Sequence, residues 1–379
     1  MSQAWIPIVK LILKKSLDLG HFLRSVVWYT RSAKEYTRSA FLEKAKTFKS
    51  FDDVNISGRS FMILGASGTV GTAVASYLVK KDGVTLHVVY NKPEHGNSLI
   101  TTLKSISHKN STIVPHKVDF TRPGEVYKFV LDFVALKPDL HVLINCATIM
   151  SAEDIKDVYG TRLSFLVNVL SPLIICTMIS DYMSTLPIVT YKRRIINCTC
   201  GCILTVNIHI NDIELNGVPF KSMFHYSHEK KQTAVVLHQM ALKYSNIQYS
   251  NVIPGWVKRD IQSDEIPEPA ESWRKDLRLP EEGADTILWL AISNESIKIP
   301  SGEIFLDRNI YKLSYMNIPN YLRTSTYGIY SKSLRKVVDR YSSLKESTVV
   351  PPEPVALKDE SKEHAIDAST KPEDAVHHK

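Results

Sequence analysis

The sequence predicts an α/β protein built on a doubly wound parallel sheet, and three observations carry that prediction. Short apolar runs alternate with longer, mostly Gly- and Pro-free segments from residue 58 to about residue 310. Several runs, such as Phe61-Met62-Ile63-Leu64 and Val142-Leu143-Ile144, are apolar at every position, as strands covered on both faces must be. A glycine-rich turn, Gly65-Ala66-Ser67-Gly68-Thr69-Val70-Gly71, joins the first run to the first helical segment. That is where such a sheet presents free helix N–H groups to a phosphate.

The elements follow in order. Residues 1–57 read as a helical, basic, amphipathic arm, with ten Lys or Arg against five Asp or Glu. Asn55-Ile56-Ser57-Gly58 is a turn and a boundary. Strands are expected at 60–64, 85–90, 112–118, 141–144, 194–200, 249–253 and 302–306. Helices are expected at 71–81, 98–107, 125–136, 226–243 and 284–292, with a long helical region at 154–184 interrupted at Pro172. The main domain thus spans 58–312. A helical extension is expected at 313–345. Residues 346–379 hold Pro351, Pro352, Pro354, many charges and no aromatic residue, and read as a disordered tail.

Composition excludes some functions. Among 379 residues, 44% are hydrophobic and 23% charged, which places the chain with soluble globular proteins. A net charge of +8, spread along the chain without a basic run interleaved with aromatics, argues against nucleic-acid binding. Five cysteines, three crowded at Cys198, Cys200 and Cys202, do not resemble a secreted disulfide framework and suggest a reducing, intracellular compartment, the cytoplasmic side. These three alternate, so on a strand they share a face; without a second ligand pair they read as buried small apolar residues rather than a metal site. No uninterrupted apolar run reaches membrane-spanning length, and no signal-peptide cleavage pattern is evident. The arm, with Trp5, Trp28, Tyr29 and flanking lysines, suits either a membrane surface or packing on a partner or its own domain. A mitochondrial presequence is a third, weaker reading of it. Oligomeric state is not legible.

In a doubly wound sheet, ligands lie beyond the carboxyl ends of the strands. The second strand ends in Tyr90-Asn91-Lys92 without an acid, so Lys92 either faces the 2′-phosphate of NADP or is a solvated loop residue. The third ends at Asp119, the fourth in Asn145-Cys146-Ala147-Thr148. Tyr226 and Lys230 stand four apart, which puts both on one helix face. An ammonium beside a phenol favours the phenolate, and such a tyrosine exchanges a proton with a carbonyl or alcohol oxygen. Spacing alone is unspecific: Tyr77 and Lys81 share it and read as a surface pair. Position favours Tyr226, which opens the helix after strand five. His225 beside it reads as a packing or surface residue.

The glycine turn, Asp119, Asn145-x-Ala147, Asn168 and Tyr226-x-x-x-Lys230 resemble, in order and rough spacing, the short-chain dehydrogenase/reductases over residues 58–310. Residues 23–29 and 34–37, with landmarks such as Asn211-Asp212, Pro254-Gly255-Trp256 and Pro300-Ser301-Gly302, are similar to one subgroup of that family. The resemblance implies a Rossmann domain and an oxidoreductase that moves hydride between NADP, or NAD, and a small, lipophilic carbonyl or alcohol. It implies Tyr226 as acid/base, Lys230 on the nicotinamide ribose, and Asn168 propping a water relay. Cys200 stands where the family orients substrate with serine. The cofactor would be held by Gly65, Ser67, Gly68, Gly71, Lys92, Asp119, Asn145, Ala147, Pro254 and Gly255.

There are departures from the family pattern. Thr69 replaces the middle glycine, with Gly68 shifted to give Gly-x-x-Gly-x-x-Gly; Thr148 adds bulk near the cofactor; Arg259 stands where a threonine meets the carboxamide. A thiol at Cys200 is a weak donor. The alternative expectation is therefore a catalytically impaired relative acting as a membrane-associated or partner-binding module. The long segment 201–225 is expected to shape the substrate pocket.

Overall fold

The computed structural model describes residues 19–187, 191–258, 275–311, 332–334, 336, 337 and 341. The arm contributes two helices, α1 (Leu19–Glu35) and α2 (Arg38–Ala45). The domain then runs β1 (Ser60–Leu64), α3 (Thr69–Leu78), β2 (Thr85–Tyr90), α4 (Pro93–Ile106), β3 (Thr112–Lys117), α5 (Pro123–Ala135) and β4 (Val142–Asn145). It continues with α6 (Leu163–Thr185), β5 (Arg193–Cys198), α7 (Ser222–Lys243), β6 (Ile247–Val252), α8 (Pro280–Ile292), β7 (Ile304–Leu306) and β8 (Asn309–Ile310).

The eight strands form one sheet in the order β3-β2-β1-β4-β5-β6-β7-β8, parallel throughout except for β7 against β8. Order reverses between β1 and β4, which places the switch-point crevice over the carboxyl ends of those strands. The two-residue side-chain period sorts each strand between two cores. Met62, Leu64, Leu143 and Ile195 pack with α5, α6 and α7. Phe61, Ile63, Ile144 and Ile196 pack with α3, α4 and α8. The apolar helix α6 has a mean hydropathy of 2.0 over its most apolar window, which is 89% buried inside the fold, so it covers the sheet here.

Four local expectations need correction. Residues 154–162 form a turn closed by a Lys156–Arg162 bridge, with Gly160 at φ 77°, and the helix starts only at Leu163. Pro172 does not interrupt α6. It sits in the first turn of the regular segment Ser171–Thr185, just after a π-turn at Leu166–Leu170, so the irregularity precedes the proline and relieves its missing N–H. Strand β5 ends at Cys198, level with Val252 at the end of β6. Cys200 and Cys202 therefore leave the ladder for a 3₁₀ turn at Gly201–Thr205, and the three cysteines do not alternate on a strand. An additional strand, β8, is turned back by Asp307 and Arg308, both left-handed at φ 51° and 58°.

The arm is clamped onto the domain by Arg278. Its guanidinium, 1% exposed, pairs with Asp307, itself 0% exposed, at 2.5 Å. It also donates to the backbone oxygens of Glu35, Tyr36, Thr37 and Pro254. Trp28 and Tyr36 then pack with Cys202, Ile203 and Leu204 of the 3₁₀ turn. Leu19, Leu23 and Val27 stay exposed, one helical turn apart along α1. The expected extension and tail fall almost wholly outside the described residues; Leu334, Val337 and Tyr341 pack into the core on the α5–α6 side.

Candidate active site

The glycine turn does what its sequence requires at two of three glycines. Gly65 is left-handed (φ 69°), and a Cβ there would stand 2.6 Å from the Ala147 Cα, so β1 and the loop after β4 touch backbone to backbone. At Gly71 a Cβ would stand 2.3 Å from the Gly65 oxygen, so only glycine lets α3 approach the turn. Gly68 is the extended N-cap of α3 with ordinary space around it. Thr69 is the first helical residue, partly exposed, and does not invade the turn. Ser67 lies on the same turn.

Beneath this turn three asparagines form a ladder across the sheet. Asn145, Asn197 and Asn251 are in register on β4, β5 and β6. Asn145 donates to Asn197 at 2.9 Å, Asn197 donates to Asn251 at 2.8 Å, and all three are at most 1% exposed. Asn145 also accepts the Ala147 N–H at 3.2 Å, fixing the loop after β4. Buried amides need such partners, and the ladder supplies them from strand to strand.

Asn168 sits within the π-turn of α6. Its Oδ1 accepts from the Ile149 N–H (2.8 Å) and the Thr148 hydroxyl (3.1 Å). Its Nδ2 donates to the Ile149 oxygen (2.7 Å) and to Glu229 (2.6 Å), so the side chain is fully committed. Thr148 thus points its hydroxyl at Asn168. The Asn168 backbone oxygen accepts from Thr233 at 2.8 Å.

Tyr226 and Lys230 lie on α7, on a stripe with Glu229 and Thr233 at helical positions i, i+3, i+4 and i+7. Helix α7 starts at Ser222, so Tyr226 stands on its second turn rather than opening it. Tyr226 is half-buried and packs against the cluster that holds Trp28, Tyr36 and Cys202, as Cys200, Met223 and Trp256 also do. Lys230 is 2% exposed and forms no hydrogen bond with its side chain among the described residues. By contrast, Tyr77 and Lys81 both turn to Asp52, at 2.6 and 2.9 Å, as a surface cluster does. His225 is buried against Phe220 and Phe224 and bonded to Lys221.

Cys200 is bonded to Cys202 as a disulfide, which removes its S–H. This corrects the reading of Cys200 as a thiol donor. Cys146 and Cys198 approach to 3.3 Å between sulfurs. Among the described residues no group of three or more His, Cys, Asp or Glu side chains is placed to hold a metal ion.

The outer cofactor candidates are less concentrated. Lys92 is exposed at the N-cap of α4. The Asp119 carboxylate accepts from the Thr121 N–H and hydroxyl and faces Arg122 at 3.6 Å, which turns the chain out of β3. Pro254 and Gly255 follow β6, and a Cβ on Gly255 would stand 2.4 Å from Arg278, tying this loop to the arm clamp. Arg259 lies outside the described residues. The sequence reading missed Asn197, Asn251, Glu229 and Arg278. For the asparagines a signal was present: each occupies the same strand-end register as Asn145.

Comparison with known proteins agrees with this geometry. The short chain dehydrogenase family model matches residues 59–269. The chain is 31% identical over 286 residues to human dehydrogenase/reductase SDR family member 12, covering 75% of this chain and 88% of that protein. It is 24% identical over 268 residues to mouse retinol dehydrogenase 11, covering 69% and 82%. Among solved structures, a short-chain type dehydrogenase/reductase from Mycobacterium ulcerans superposes with a TM-score of 0.52 at 16% identity, over 73% of this chain and 99% of that one. That likeness is of fold. Family model, curated relative and sheet topology agree: the chain belongs to the short-chain dehydrogenase/reductase family.

Proposed function

We propose that this chain is an NADP-preferring oxidoreductase acting on a carbonyl or alcohol, with Tyr226 as general acid/base. Membership of the family implies a nicotinamide cofactor, NAD or NADP. The residues present fit one: Gly65 and Gly71 let β1, the loop after β4 and the start of α3 close backbone to backbone around the turn, where a Cβ at either would clash. The observation that carries the reading is Lys230, largely buried, with no side-chain hydrogen bond among the described residues and one helical turn from Tyr226. An ammonium with no side-chain hydrogen bond has donors left for a ligand such as a ribose hydroxyl.

In this reading Gly65, Ser67, Gly68 and Gly71 face the pyrophosphate with the N-terminus of α3. Asp119, Asn145 and Ala147 line the nucleoside side, Pro254 and Gly255 the nicotinamide side, and Lys92 the 2′-phosphate that would set NADP over NAD. Lys230 holds the ribose. The nicotinamide supplies or accepts the hydride. Tyr226 gives its proton to the carbonyl oxygen during reduction, or takes one from the alcohol during oxidation. The aromatic and apolar neighbours of Tyr226 suit a lipophilic substrate.

The test is titration of the protein with NADPH and NADH, followed by turnover over a carbonyl panel with Tyr226→Phe as control. Tighter binding of NADPH and loss of turnover in Tyr226→Phe are expected; binding of neither cofactor would overturn the reading. The Cys200–Cys202 bond favours a second reading, a catalytically impaired module, because a disulfide sulfur has no proton with which to orient a carbonyl. Cofactor binding with turnover indifferent to Tyr226→Phe would decide for it. We further propose that the protein is intracellular and that the arm touches a membrane surface peripherally through the exposed Leu19, Leu23 and Val27. Failure of the full chain to float with liposomes would remove that proposal.

A further inference from the structure

We propose that Glu229 is a positioning residue for the Tyr226–Lys230 pair: it fixes Asn168 against α7, and the charge it carries or sheds there governs how readily Tyr226 parts with its proton. This rests on the acid/base role proposed for Tyr226. The carboxyl is 3% exposed and fully engaged. Ser164 donates to Oε1 at 2.7 Å and Asn168 donates to Oε2 at 2.6 Å. Thr233, one turn further along α7, holds the Asn168 backbone oxygen at 2.8 Å. Asn168 is thus gripped at two points by the same helix stripe that carries Tyr226 and Lys230.

The surroundings accept both charge states. A hydroxyl donates or accepts, so a proton on Oε1 can be passed into a bond to Ser164 while Oε2 still accepts from Asn168. Burial pushes the Glu229 carboxyl up to about 7, against the hydrogen bonds from Ser164 and Asn168 and the charges of Arg162 and Lys230, which pull it down. Those two cations face it from the start of α6 and from α7 itself. Arg162 is already paired with Asp154, at 3.2 Å through Nη2. Ionised, Glu229 puts a negative charge three residues from Tyr226 on α7 and offsets part of the Lys230 charge. It therefore opposes the phenolate and holds the proton on the tyrosine.

The test is Glu229→Gln. The amide fits the same bonds, with its oxygen toward Asn168 and its NH₂ toward Ser164, but does not titrate. With a charge at a helical i, i+3 spacing removed, the alkaline limb of the carbonyl-reduction pH profile moves to lower pH by roughly a few tenths of a unit. A profile that overlays the wild type overturns the proposal. A second readout needs no turnover: the Asn168 side-chain amide resonances of the wild type should step with a midpoint near that of Glu229 and stay flat in Glu229→Gln. No step in the folded wild type also overturns it. Should Glu229→Gln fail to fold, the wild-type step and its displacement in Ser164→Ala decide instead. Loss of the Tyr226 reading would show separately, as turnover unchanged by Tyr226→Phe.

Discussion

Replacing Arg278 with methionine tests how the arm is joined to the catalytic domain. The side chain keeps an unbranched apolar stem but loses the guanidinium, its charge and its five donors. Three sets of contacts go: the pair with Asp307, the bonds to the arm at Glu35, Tyr36 and Thr37, and the bond to Pro254 after β6. Breaking a buried pair by removing one partner costs about 3–5 kcal/mol, because the other charge is stranded. Here Lys44 still reaches Asp307 at 3.0 Å, which favours the lower end, about 3 kcal/mol. The Glu35 oxygen loses its donor at a cost of about 1 kcal/mol. The Tyr36 oxygen keeps the Trp256 N–H and the Thr37 oxygen keeps the Phe41 N–H, so neither adds much. The expected loss is about 4 kcal/mol, read by urea unfolding at equilibrium, a large part of a stability of roughly 5–15 kcal/mol. Limited proteolysis should open the arm before the domain. Arg278→Lys keeps charge without the fork and should fall between. A change below about 1 kcal/mol, with the arm still protected, would refute the clamp.

The strands were legible because apolar residues on both faces leave few alternatives to a covered parallel sheet. β1 and β2 fall where the residues place them. The failures have physical causes. β8 escaped notice because its turn uses Asp307 and Arg308, and only the first belongs to the residues that usually take a left-handed backbone. β5 was read two residues too long because Cys198-Thr199-Cys200 keeps a strand-like alternation after its neighbour β6 has ended at Val252. Pro172 drew attention away from the actual irregularity, since a π-turn has no residue signature.

The site was half legible. Tyr226 and Lys230 declared themselves by spacing and by their place after β5, and Gly65 and Gly71 by a turn between strand and helix. Glu229 could not be found this way. A glutamate within a Lys-rich helical segment reads as solvated, and only the packing of α7 against α6 reveals that it is buried on Asn168. Asn197 and Asn251 looked like isolated polar residues in apolar strands until the register joined them to Asn145. The thiol reading of Cys200 failed because a partner two residues away is invisible to an argument that assumes a strand.

Gly71→Ala should abolish cofactor binding by calorimetry, since its Cβ would stand 2.3 Å from the Gly65 oxygen; retained affinity would sink the cofactor role of the turn. Cys200→Ser should raise turnover, and Cys202→Ser should do so in part by freeing the Cys200 thiol; a flat response in both would count against the disulfide as the impediment. The last expectation concerns stability and pH. Burial raises the Glu229 carboxyl from 4.5 to about 7, so the folded state holds its proton more tightly than the unfolded chain does. The unfolded state therefore releases that proton first as pH rises. The contribution is complete below about 4.5 and is lost as pH climbs through 7. The loss is about 3 kcal/mol for a shift of this size. Buried His87 and His225, both lowered to about 4, have the opposite sign and gain stability over much of the same range. A wild-type curve alone would mix these effects. Glu229→Gln keeps the histidines and removes only the carboxyl, so the difference between the two unfolding curves isolates it. That difference should turn against the wild type by about 3 kcal/mol between acid and neutral pH. Parallel curves would mean that the carboxyl is ionised in the fold at ordinary acidity, and that the hydrogen bonds from Ser164 and Asn168 outweigh its burial.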